Sequence, residues 1–163
     1  MNDVTRPRWK LCSLLSLIVL AGCGSSSIES VQSPDSLTLY SIDGRDFFPG
    51  KGPKKPETDE TFHGYPVLGK VQIKDPAKRA SIMAALKKGI DNADGMAKCF
   101  WPRHGIRATK NGKTIEYVVC FECQQLTIHT NNGSNRKAIT RDPQSVFNKH
   151  LTNAKVTLAP TKE

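Results

Sequence analysis

The 163-residue chain has no apolar run long enough to cross a bilayer. A spanning helix needs about 20 consecutive apolar residues, and the longest uncharged apolar stretch, Leu11 to Gly22, is too short. The chain also lacks the short motifs of common catalytic folds. It has no Gly-x-Ser-x-Gly, no His-Glu-x-x-His and no glycine-rich phosphate loop, which removes hydrolases, zinc proteases and P-loop enzymes of the usual pattern. Acidic residues are few, 15 against 24 Lys and Arg, for a net charge of +9. Asp43, Asp46, Glu57, Asp59 and Glu60 lie near one another, but no spacing among them fixes a carboxylate pair for acid–base work. No catalytic residues are assigned, and a non-enzyme is the expectation. No internal repeat is found.

The front of the chain carries the strongest pattern. Arg6, Arg8 and Lys10 precede the uncharged run, which closes on Leu20-Ala21-Gly22-Cys23. A basic start, a short apolar centre and a small-residue cleavage zone make a secretory signal peptide. The last four residues resemble a bacterial lipobox, which implies cleavage after Gly22 and lipidation of Cys23. Residues 1–22 are then a removed leader. Losing three basic residues and one acid leaves a mature chain of 141 residues with net charge +7, a length that fits one domain. Multiple acyl chains anchor a protein stably to a membrane surface. The expected location is the bacterial cell envelope, facing the periplasm or the exterior. Gly24, where an Asp would signal inner-membrane retention, points to the outer membrane. The expected partners are the bilayer through the anchor, anionic envelope polymers or another envelope protein, and not nucleic acid.

Residues 23–36 are rich in Ser and read as the lipidated N-terminus and a flexible tether. A single domain is expected over residues 37–163. Leu37 to Ile42 reads as a first strand, and Asp43 to Pro66, with its Pro, Gly and Lys cluster, as a long irregular loop. Val67 to Ile73 alternates as a strand, with Val67, Gly69, Val71 and Ile73 on one face. Asp75-Pro76 opens a helix, since Asp caps free backbone N–H groups and Pro at the first position gives up an N–H that has no helical partner. Ile82, Met83, Leu86 and Ile90 form its apolar stripe, and Gly89 with the Asn92–Gly95 cluster ends it. Asp142-Pro143 repeats the device for a shorter helix.

Asn111-Gly112 is the preferred pair for a two-residue type I′ hairpin turn. It sets a register in which Lys110 faces Lys113, Arg107 faces Glu116, Ile106 faces Tyr117 and His104 faces Val119. One face then carries His104, Ile106, Ala108, Ile115, Tyr117, Val119 and Phe121 as core, and Arg107 with Glu116 reads as an ordinary cross-strand ion pair. A further strand is expected over Leu126 to His129 after a kink near Gln124, followed by a polar loop from Thr130 to Arg141. The expected fold is α+β: a small antiparallel sheet centred on this hairpin, packed against one longer helix and one shorter helix that covers another edge.

Cys99, Cys120 and Cys123 remain in the mature chain beside Cys23. An oxidising compartment permits a disulfide, and Cys99 stands level with the Cys120–Cys123 end of the hairpin. A bridge from Cys99 to either partner is the expectation, with the third cysteine free and buried. The alternative is a zinc or thiol-redox site made of Cys99, His104, Cys120 and Cys123, three thiolates and an imidazole that suit tetrahedral metal. Strand alternation puts Cys120 on the opposite face from His104 and Cys123, so no metal cofactor is expected, only the covalent lipid at Cys23. The aromatic–basic segment Phe100 to Gly105 supplies candidate binding residues in Trp101, Arg103 and His104. They can form a ligand edge, or a loop that covers the sheet.

Taken together, Cys99-Phe100-Trp101-Pro102-Arg103-His104-Gly105, Asn111-Gly112-Lys113 and Cys120-Phe121-Glu122-Cys123, with Tyr65-Pro66-Val67-Leu68-Gly69 upstream, resemble a family of small uncharacterised bacterial lipoproteins. The resemblance implies a lipid-anchored envelope protein, with no particular activity.

Overall fold

The computed structural model of the protein describes residues 31–45 and 59–161. The leader over residues 1–22, Cys23, the first part of the tether and residues 46–58 of the expected loop lie outside the described residues. No helix among the described residues is long and apolar enough to cross a membrane.

The elements run β1 (Ser36–Ile42), β2 (Thr61–Phe62), β3 (Tyr65–Gln72), α1 (Pro76–Asp91), β4 (His104–Lys110), β5 (Lys113–Cys120), β6 (Gln125–Thr130), β7 (Gly133–Ala138) and α2 (Pro143–Asn153). The strands form one antiparallel sheet in the order β2-β3-β1-β4-β5-β6-β7. The α+β expectation holds, but the sheet is not small: it has seven strands and curls into a half-barrel.

The Asn111-Gly112 hairpin has the register its turn dictates, from Lys110 opposite Lys113 to His104 opposite Val119. Asn111 and Gly112 take φ of 50° and 73°, the left-handed pair that a type I′ turn needs. His63 and Gly64 do the same at 51° and 83° between β2 and β3, so residues 61–66 form a hairpin where an irregular loop was expected. The polar loop expected over Thr130–Arg141 likewise contains β7. Four of its six residues are exposed and it lies at the sheet edge, so it has no buried face to impose apolar alternation.

Both helices lie on one face of the sheet. Leu37, Leu39, Ile106, Tyr117, Val119 and Leu126 pack there against Ile82, Met83 and Leu86 of α1 and Phe147 and Leu151 of α2. Full burial of each large apolar side chain contributes about 1.5–3 kcal/mol. Val31 is 1% exposed and joins this core, so the packed body begins within the sequence read as tether. The shorter helix does not cover a separate edge; it packs on α1. Gly89 does not end α1 but lies buried within it, and a Cβ there would sit 2.5 Å from Pro143 Cγ.

The caps differ. Asp75 accepts the N–H groups of Ala77 and Lys78 as expected, whereas Asp142 has helical backbone angles and makes no side-chain cap bond.

A second, smaller core occupies the opposite face: Tyr40, Ile42, Phe62, Val67 and Val118, with Tyr65 and Phe100 against it. Val67 belongs here rather than with Val71. The β1–β3 register skips one residue between Ser41 and Ile42, and this bulge turns Val67 to the other face.

Candidate functional site

The helix-free face is built around a missing side chain. Gly105 on β4 leaves a recess that Phe62 fills, since a Cβ there would lie 2.7 Å from Phe62 Cδ1. Phe62 stacks on Tyr40 with ring centroids 4.4 Å apart. The Arg107 guanidinium lies 5.6 Å from the Tyr40 centroid and 5.7 Å from that of Phe62, within the range of cation–π attraction. The β2–β3 hairpin is thereby held across the sheet, and its tip carries His63 to β5 and β6.

There His63 stacks on His129 with centroids 3.7 Å apart and an interplanar angle of 17°. Its Nε2 meets Glu116 Oε2 at 2.8 Å, and Arg107 Nε donates to Glu116 Oε1 at 2.5 Å. Register explains the convergence: Glu116 stands opposite Arg107 on β4 and opposite His129 on β6. Both carboxylate oxygens are therefore engaged. The His129 ring makes no hydrogen bond among the described residues. Burial lowers its pKa, His63 beside it adds to the lowering, and Glu116 opposes both. His63, Glu116 and His129 line a cleft of about 340 Å³ with Thr114, Thr130, Asn131, Gly133 and Ser134, and Arg107 stands behind Glu116.

The residues singled out from sequence lie elsewhere. Cys99 pairs with Cys123, Cα atoms 5.6 Å apart, and Cys120 is free and buried. Cys123 escapes the strand alternation argument because β5 ends at Cys120 and a turn carries residues 121–124, with Gln124 at φ 52°. The Gln125 amide donates to the carbonyls of Ala97 and Cys99, which ties the bridged loop to β6. The Cys120 sulfur accepts the N–H groups of Trp101 and Cys123, each at 3.3 Å, and burial pushes its thiol pKa up.

His104 faces the helix-side core, 3% exposed, with Nε2 2.7 Å from Asn148 Oδ1 and its ring edge-on to Phe121 and Phe147. Burial brings its pKa down to about 4. Arg103 donates to Glu122 and to the Pro160 carbonyl, and Trp101 is half-buried. Arg103 and His104 thus engage different partners, Arg103 with Glu122 and Pro160 and His104 with Asn148. His104 and the Cys120 thiol lie on opposite faces of the sheet, and among the described residues no three His, Cys, Asp or Glu side chains are grouped to hold a metal ion.

The sequence places Glu116 only in a cross-strand ion pair with Arg107 and gives His63 and His129 no functional role. A signal existed in His63-Gly64, two residues between Phe62 and Tyr65 that fit a tight turn. The β5–β6 register, which places Glu116 beside His129, is set by the turn over residues 121–124.

No protein family, curated protein or solved structure matches the chain.

Proposed function

We propose that this protein is an envelope lipoprotein, anchored through acyl chains on Cys23, whose folded body is a non-enzymatic binding module. The observation that carries the reading is the Cys99–Cys123 disulfide. Such a bridge persists in oxidising compartments, which fits a chain opening with a signal-peptide pattern and a lipobox-like Leu20–Cys23. The resemblance to small bacterial lipoproteins supports the same reading, and Gly24 favours the outer membrane. The bilayer is the first partner; a net charge of +7 on the mature chain suits anionic envelope polymers or an acidic envelope protein as the second. The polar cleft on the helix-free face is the contact surface. The zinc alternative would need sulfurs that the disulfide joins, so it is not adopted.

The test is the Cys23→Ala variant expressed in its bacterial host. The expected result is an uncleaved, non-lipidated precursor that no longer partitions into the detergent phase with the lipoproteins. If the variant is processed and partitions like the parent, the lipoprotein reading is wrong.

A further inference from the structure

We infer that the cleft beside His129 is an oxyanion site, taking a phosphate, sulfate or carboxylate group together with a proton. The inference rests on the reading of the helix-free face as the contact surface and names its ligand chemistry. Charge carries it first. Arg107 on β4, His63 on the β2–β3 turn and His129 on β6 are three cationic or protonatable groups around one carboxylate, Glu116 on β5. From β1 the Tyr40 ring lies under Arg107, and the Glu60 carboxylate also acts on that guanidinium. Lys70 on β3 is held by Glu60 at 2.6 Å.

Glu116 balances one positive charge and Arg107 already supplies it. With Arg107 and His63 already on the two Glu116 oxygens, a protonated His129 has no carboxylate contact of its own, and protons on both imidazoles would place like charges on rings whose centroids are 3.7 Å apart. An anion in the cleft removes that obstacle.

Donors carry it second. The His129 ring nitrogens have no hydrogen-bond partner among the described residues, and Ser134 and Asn131, whose side chains can donate, line the same cleft. The Thr114 and Thr130 hydroxyls are already bonded, to Thr109 Oγ1 and the Gly133 carbonyl. A ligand bearing acceptors and negative charge matches what remains.

Proton and anion are coupled, and the coupling is reciprocal: if the anion raises the His129 pKa, protonation tightens the anion equally.

The test is an NMR pH titration of the imidazole C–H signals of the full-length protein in detergent, with and without sulfate, using sodium chloride to match ionic strength. Sulfate stays dianionic across the range, so any proton uptake belongs to the protein. The expected result is a rise of about one unit in the His129 midpoint, equivalent to tenfold tighter sulfate on the protonated form. His150, on the far side of the sheet, should not move. A Ser134→Asp variant should raise the His129 midpoint without sulfate and lose the response to it. An unchanged His129 midpoint, an equal shift at His150, or a response to zinc in place of sulfate would each overturn the oxyanion site. None of these outcomes bears on Cys23 processing, so the two readings fail separately.

Discussion

Tyr117 lies at the centre of the helix-side core with its hydroxyl buried and, among the described residues, unpartnered. A buried polar group without a hydrogen bond costs about 1–3 kcal/mol. Tyr117→Phe keeps the ring and removes that cost, so it should stabilise the protein by about 1 kcal/mol, measured by urea unfolding; a loss of stability would reveal a partner for the hydroxyl. His104 in the same core gives a pH dependence. Burial lowers its folded pKa to about 4, while an unfolded imidazole titrates near its ordinary value of 6.5. On acidification the unfolded chain therefore takes the proton first. The His104 contribution is intact above about pH 6.5 and is lost as pH falls towards 4, by about 3 kcal/mol in all. His129 and His150, both also lowered by burial, add to the same slope. Unfolding free energies measured across this window should fall with pH, and less steeply in His104→Leu. An equal slope in the variant would remove His104 from the account.

Among the elements, the contact between α1 and α2 is the most constrained. Replacing glycine by alanine inside a helix ordinarily gains about 1 kcal/mol. At Gly89 the added methyl would sit 2.5 Å from Pro143 Cγ and 3.1 Å from Ile139 Cγ1. Overpacking of this kind costs about 1–3 kcal/mol, so Gly89→Ala should destabilise the protein by denaturant unfolding despite its better propensity. A more stable variant would mean that the helices can part freely. The same residue shows how far local reading carries. The stripe of Ile82, Met83 and Leu86 is set by helical period and was legible. The helix ends at Asp91 with Asn92 as its cap, within the expected Asn92–Gly95 cluster, whereas Gly89 packs against the second helix, which begins at Pro143. β7 was missed for a related reason: the sequence Gly133-Ser134-Asn135-Arg136-Lys137-Ala138 has no apolar face, and only its pairing to β6 makes it a strand.

For the whole molecule, the disulfide joins the loop before β4 to the turn after β5, closing a separation of 24 residues. By the chain-entropy argument a loop of this length stabilises the fold by about 3 kcal/mol. A Cys99→Ser, Cys123→Ser double variant should lose about that much, read as a lower urea midpoint with an equal or steeper slope, because the unfolded chain without the cross-link exposes more surface. An unchanged midpoint would remove the bridge from the account of stability. The turn over residues 121–124 sets where β6 begins and so places His129 opposite Glu116, and the disulfide ties Cys123 of that turn to the loop before β4.

Local rules in the sequence determined the Asn111-Gly112 hairpin and its register, the helix opening at Asp75-Pro76, the α+β class and the availability of Cys99 for a bridge. Each follows from contacts within a few residues, where turn geometry, capping and apolar period act alone. Tertiary structure decided the choice of Cys123 over Cys120, the seven-strand extent of the sheet and the arrival of His63 and His129 at the Arg107–Glu116 pair that the hairpin register already sets. Those outcomes depend on a bulge in β1–β3, a side-chain-free recess at Gly105 and a hairpin folded across the sheet. These features bring residues far apart in the chain to one place, and no local pattern encodes that distance.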